Sequence, residues 1–308
     1  MTKIVFFGNE RLVSGLEKTD AHLLTGLIDQ GYDIVAVVSH HSDSHSRNQR
    51  ILEVAEIAKV HNIPVFLPSR PSEIIDELRN LKADIAVLAA YGRIVSQQVI
   101  DIFPLGIVNV HPSLLPKYRG PTPIESAILN GDIETGVSIM QLSAGMDEGP
   151  VYAQQPVALT GDETKFELYE KIVDVSTRLF FDTLPQIING SLQPTPQDDS
   201  KASYSKLIQK SDGVIDWNKS AEQIEREVRT YQGWPQSRTT LATVEVIITH
   251  AHVKSGNQKI GEIIIGNKEK ISVGTSKDLL SIDLLKPLGK KEMPISAFLS
   301  GYGSQLDG

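Results

Sequence analysis

The chain has 308 residues, 40% hydrophobic and 22% charged, which suits a globular protein of one large domain or two unequal ones. It carries 30 Lys+Arg against 38 Asp+Glu, a net charge of −8, and this acidic balance argues against a surface built for non-specific nucleic-acid binding. There is no cysteine, so disulfides, thiolate nucleophiles and Cys-ligated zinc are excluded.

In chain order, the first predicted element is KIVFFG (3–8), a short apolar strand ending in glycine. No charged-then-apolar leader precedes it, and no apolar run is long enough to span a bilayer, so a cytoplasmic protein is expected. Helical patterns over 11–30, 50–61, 72–81 and 95–102 alternate with apolar runs at 32–40, 63–68, 83–90 and 105–111. Strands apolar on both faces, alternating with helices, predict a mostly parallel, Rossmann-like α/β sheet covered on both sides. In such sheets ligands bind beyond the carboxyl ends of the strands. The turn GNERLVSG lacks the G-x-G-x-x-G of a dinucleotide site and no P-loop string occurs, so Gly8 reads as a turn glycine.

Beyond residue 133 the pattern changes. ETGVSIMQL (134–142) and PVYAQQPVAL (150–159) predict a strand pair joined by a glycine-flanked loop, and 162–188 predicts a long helix capped by Asp162 or Thr164. Residues 189–203 are rich in Gly, Pro, Ser and Asp and read as a linker. A helix over 221–231 and short strands between 238 and 287 predict a small β-barrel. The expected division is a catalytic domain at 1–188, a linker at 189–205 and a second domain at 206–308. That second domain holds 14 Lys+Arg and 12 Asp+Glu, against 16 and 26 in the first 205 residues. The small positive excess is compatible with an RNA partner, though an ordinary solvated surface has the same balance.

The residues with chemistry cluster in VNVHPSLLPKYRG (108–120). Asn109 and His111 lie two apart on a strand and face the same way. Burying both without partners would be costly. At the carboxyl end of a parallel strand, a carboxamide and an imidazole on one face form a donor pair for an oxygen that gains charge in a tetrahedral intermediate. Asp147, in AGMDEG, is either a turn residue or the partner that holds an imidazolium and relays a proton. Ser113 lacks the G-x-S-x-G elbow of a hydrolase. His40, His41 and His45 lack helical metal-ligand spacing, so the loop carrying them reads as surface and no metal is expected.

N-V-H-P-S-L-L-P-K-Y-R-G followed by AGMDEGPV closely resembles the formyltetrahydrofolate-dependent formyltransferases. The strings SKASYSKLIQKSDGVIDW (200–217), GWP (233–235) and LLKPLGKKEMPISAFLSG (284–301) resemble the C-terminal domain of the methionyl-tRNA branch. The resemblance implies a formyltransferase fold followed by an OB-like barrel, a nucleic-acid platform. It also implies formyl transfer from 10-formyltetrahydrofolate to the α-amino group of initiator methionyl-tRNA, by a monomer. Asn109, His111 and Asp147 become the catalytic set and Ser113, Leu114, Leu115 and Pro116 the folate-binding loop. Arg47, Arg50, Lys117 and Arg119 are the candidate tRNA contacts. The chain departs from this pattern at SHHSDSHSRNQR (39–50), where a more basic run is usual, and at GNERL, which lacks the usual Thr-Pro. Two other readings remain: N-formyl transfer to another amine, such as a nucleotide-linked amino sugar, or a non-catalytic RNA-binding protein on this scaffold.

Overall fold

The apolar runs at the start of the chain pair as expected. In the computed structural model, which describes residues 1–40, 52–266 and 269–306, strands β1 (Lys3–Gly8), β2 (Asp33–Val38), β3 (Val65–Phe66), β4 (Ile85–Ala89) and β5 (Ile107–His111) form parallel ladders. Two antiparallel strands, β6 (Glu134–Gln141) and β7 (Val151–Ala158), extend the sheet, giving the order β3-β2-β1-β4-β5-β6-β7 among the described residues. Alternate residues of β1 pack on opposite faces. Val5 and Phe7 join Ala86, Leu88, Tyr91 and Phe103 in one core, while Ile4 and Phe6, also fully buried, point the other way.

Gly8 does more than turn the chain. A Cβ at this position would lie 1.9 Å from the Ala89 carbonyl oxygen, so only glycine lets the end of β1 approach β4 this closely.

The helices expected at 11–30 and 95–102 are shorter than their patterns. The first, α1 (His22–Asp29), begins after a folded loop, because Gly15 and Ala21 take left-handed φ values of +79° and +46°. Within that loop the Arg11 guanidinium donates to the Leu16 carbonyl at 2.7 Å and pairs with Glu53 at 2.9 Å. Glu10 closes the start of α1 from outside the helix, accepting the N–H groups of Leu23 and Leu24 at 3.0 Å each. Burial pushes its carboxyl up to about 7, and the two N–H bonds oppose that rise. α2 (Glu53–Val60), α3 (Ile75–Leu81), α4 (Gln97–Ile100) and α5 (Pro123–Asn130) follow, α4 covering only the middle of its pattern. The long helix α6 (Lys165–Ile188) is capped by Thr164 and not Asp162. Glu167 N–H donates to Thr164 Oγ1 at 3.3 Å while Thr164 N–H donates to Glu167 Oε2 at 2.8 Å, a capping box.

The described chain separates into two units. One holds 1–124, 134–159 and 168–206, and the other holds 125–133, 160–167 and 207–308. In the second, α7 (Ala221–Thr230) buries Ile224 and Val228. Strands β8 (Ser237–Leu241), β9 (Val244–Lys254), β10 (Ile263–Gly266), β11 (Lys270–Gly274) and β12 (Leu279–Pro287) form an antiparallel sheet in the order β10-β11-β12-β9-β8. The strand β13 (Met293–Pro294) pairs with β12 and leads into α8 (Ile295–Tyr302). Register shifts on both sides of Leu284 bend β12, as in the partly open sheets of OB-like domains.

Candidate active site

Asn109 and His111 stand at the carboxyl end of β5, 5% and 4% exposed, opposite Met140 and Ser138 of β6. The side chain of Asn109 makes no hydrogen bond among the described residues. His111 is held on both sides. Its Nε2 lies 3.0 Å from the Tyr118 carbonyl oxygen. A carbonyl only accepts, so Nε2 bears the proton and the neutral ring leaves Nδ1 bare. Nδ1 lies 3.6 Å from Asp147 Oδ2, too long for a formed hydrogen bond and short enough to close with a small shift.

Asp147 reaches this position from the loop between β6 and β7. Its backbone is left-handed, φ +50°, unusual for a residue with a side chain. Its Oδ2 accepts the Gly120 N–H at 2.7 Å. Gly120 has φ +109° and gives that N–H its direction. The sequence separates Asp147 from His111 by a helix and a strand, and the fold brings them together.

The Ser113–Pro116 loop is tied into the protein through its main chain. Ser113 is fully buried and Leu115 is 5% exposed. Ser138 Oγ donates to the Ser113 carbonyl at 2.6 Å and accepts the Leu115 N–H at 3.0 Å. Gln154 Nε2 donates to the Leu115 carbonyl at 2.8 Å, and the Pro116 carbonyl accepts the Ser203 N–H at 3.1 Å. Ser113 Oγ donates to the Lys117 carbonyl at 2.5 Å, which leaves it no role as a nucleophile. Internal bonds thus engage these groups, while the Leu114 and Pro116 side chains are half-buried.

Arg119 is tied in as well. It is 2% exposed, and its guanidinium donates to Gln197 Oε1 at 3.1 and 2.9 Å, to Asp199 Oδ1 at 2.6 Å and to Tyr204 Oη at 3.4 Å. A guanidinium buried and bonded in this way is not available to a phosphate. Lys117 is exposed, its Nζ 4.9 Å from the Tyr118 ring centroid. Arg47, Arg50, His41 and His45 lie outside the described residues. His40 Nε2 lies 2.6 Å from the Tyr91 carbonyl oxygen.

Three groups at this site were not foreseen: the Tyr118 carbonyl, the Gly120 N–H and Gln197. Gly120 left a trace, as the glycine closing K-Y-R-G. Gln197 left none, since its segment has the composition of a spacer. That segment is in fact docked, with Thr195 and Val151 exchanging both main-chain hydrogen bonds at 2.8 Å and Ser205 N–H donating to the Arg119 carbonyl at 2.8 Å.

Residues 3–184 match the formyl transferase family and 207–303 its C-terminal domain. The methionyl-tRNA formyltransferase of Pseudoalteromonas translucida is 37% identical over 298 residues, 94% of this chain and 93% of that protein. The one from Streptococcus thermophilus is 36% identical over 312 residues, 100% of this chain and 98% of that protein. Among solved structures, the N-formyltransferase from Helicobacter canadensis, in complex with folinic acid and dTDP-3-aminofucose, superposes with a TM-score of 0.69 at 20% identity. That match covers 95% of this chain and 100% of the other, and it speaks for the fold. The strand-end Asn109 and His111, the Asp147 carboxylate facing His111 and the second unit thus occur in a chain matched along nearly its whole length, and the chain belongs to the formyl transferase family, in its methionyl-tRNA formyltransferase branch.

Proposed function

We propose that the protein transfers the formyl group of 10-formyltetrahydrofolate to the α-amino group of initiator methionyl-tRNA, for translation initiation. The observation that carries the chemistry is the pairing at His111, with Nε2 on the Tyr118 carbonyl and Nδ1 facing Asp147. The folate supplies an activated formyl carbon, and the acceptor supplies an amine. Asn109 donates its carboxamide N–H to the formyl oxygen as charge builds there. Doubly protonated His111 adds its positive charge from the same strand face, with Nε2–H on the Tyr118 carbonyl and Nδ1–H turned toward Asp147. Loss of one such donor costs about 2.7–4 kcal/mol in the barrier. Asp147 holds the imidazolium through Oδ2. Its Oδ1, which has no hydrogen bond among the described residues, is left to take the proton the amine loses and pass it to the departing folate nitrogen. The new C–N bond and the broken one then balance, with one proton moved between the two nitrogens. The reading needs no metal.

Leu114 and Pro116 are the folate contacts in this reading, and Lys117, with Arg47 and Arg50, contacts the tRNA. No helix among the described residues is long and apolar enough to cross a membrane. The proposal extends to a cytoplasmic monomer, which sedimentation of the purified chain tests for size.

Labelled formyl groups should pass from 10-formyltetrahydrofolate to charged initiator tRNA when purified protein is added. A parallel reaction offers a nucleotide-linked amino sugar. Transfer to the sugar alone overturns the choice of acceptor, and folate binding without transfer to either overturns the enzymatic reading.

A further inference from the structure

The groups around Asp147 extend beyond the expected trio into the segment that reads as a spacer. Gln197 is the connecting residue. Its Nε2 donates to two carbonyls of the Asp147 loop, those of Asp147 and Gly149, both at 2.7 Å. Its Oε1 accepts from Arg119 Nε at 3.1 Å and Nη2 at 2.9 Å. A guanidinium only donates and a carbonyl only accepts, so the amide has one allowed orientation: oxygen toward Arg119, nitrogen toward the loop. Arg119 is itself immobilised, its side chain buried and its main chain paired with Ser203 and Ser205.

The residue held this way is the one with the unusual backbone. Asp147 lies at φ +50°, a conformation that persists only where surrounding contacts over-determine it. Gly120 fixes its carboxylate and Gln197 fixes its carbonyl. Gly120 is the neighbour of Arg119, so both restraints trace back to the same stretch of chain. Without the Gln197 amide, two carbonyls of the loop lose their shared donor and the loop is free to take a commoner backbone conformation. The carboxylate would then leave its 3.6 Å approach to His111 Nδ1.

We infer that Gln197 is a positioning residue for formyl transfer, holding Asp147 in register with His111, and that the segment around it is a working part of the catalytic unit. The inference rests on the role given above to Asp147. A misplacement of a reacting group by about 1 Å can cost on the order of 100-fold in rate.

The test is single-turnover formyl transfer by wild type, Gln197→Glu, Gln197→Ala, Asp147→Asn and the double variant Gln197→Ala/Asp147→Asn. Gln197→Glu is nearly isosteric and still accepts from Arg119, so it keeps that anchor while replacing the donor to the two carbonyls with an acceptor that repels them. The expected result is a drop of about 10- to 100-fold for both Gln197 variants. Affinity for methionyl-tRNA should stay near wild type in both variants, measured at a temperature where the melt of each shows it fully folded. In the Asp147→Asn background, Gln197→Ala should cost little more, because its effect runs through Asp147; a merely structural role would lower the rate by the same factor in both backgrounds. Wild-type rates for Gln197→Glu and Gln197→Ala, with Asp147→Asn impaired, overturn the inference and leave the role of Asp147 standing. A full rate for Asp147→Asn overturns both.

Discussion

Gly120 donates its main-chain N–H, at 2.7 Å, to the same Asp147 carboxylate oxygen that faces His111. A backbone donor neither titrates nor changes rotamer, so it fixes one oxygen and leaves the other to exchange protons. The donor's direction depends on a φ of +109°, and a Cβ at Gly120 would lie 3.0 Å from Ser205 Oγ and 3.1 Å from the Ser205 carbonyl oxygen. Gly120→Ala should therefore lose about 1–3 kcal/mol of stability through backbone strain. It should also lose formyl transfer well below the denaturation midpoint. Denaturant melts alongside turnover check this, and a destabilised variant with normal turnover would show that the Gly120 N–H is not used.

Asn109→Ala removes a side chain that bonds to nothing else among the described residues. Its loss should fall on the chemical step, lowering kcat by about 10²–10³ with little change in KM for the tRNA. An increase confined to KM would make Asn109 a binding residue.

Lys117 and Arg119, two residues apart, should behave oppositely. Arg119→Ala strips Gln197, Asp199 and Tyr204 of a shared donor and should destabilise by on the order of 3 kcal/mol. Lys117→Ala should leave the melt almost unchanged, weaken tRNA binding and reduce the slope of log affinity against log salt by about 1. Denaturation and salt-titrated binding of the same two variants separate these effects.

Glu10 should impose a pH dependence on stability. Its folded carboxyl titrates near 7, above the 4.5 of the free group, because burial disfavours the charge. Below about pH 4.5 both states are protonated and the group makes no difference. Between 4.5 and 7 the unfolded chain has lost the proton that the native state retains, so stability falls as pH rises, by on the order of 3 kcal/mol, and levels off above 7. Urea unfolding at pH 5 and pH 8 should show this loss in wild type, and Glu10→Gln should abolish that part of it.

The sheet was legible because strands buried on both faces leave unbroken apolar runs, and β1, β2, β4 and β5 fall within their predicted spans. Asn109 and His111 stood out for the same reason, as polar residues interrupting such a run. Main-chain partners were not legible. The Tyr118 carbonyl and the Gly120 N–H exist at every residue, and only the fold selects them. The surroundings of Arg119 were not legible either, because a loop arginine has the same local sequence whether its guanidinium meets solvent or the Gln197 amide. The helix expected from residue 11 failed on Gly15 and Ala21, whose left-handed backbones carry the chain through a loop that the apolar spacing alone could not show.

An ordinary spacer tolerates changes in length, because nothing depends on how many residues it contains. The stretch from Thr195 to Ser205 has no such latitude. It meets Val151 at one end and Arg119 at the other, with Gln197 seated against the Asp147 loop near the first of these contacts. One residue added or removed in between would break one docking point or the other. Its length therefore sets how Gln197 meets the Asp147 loop, although few of its side chains are buried.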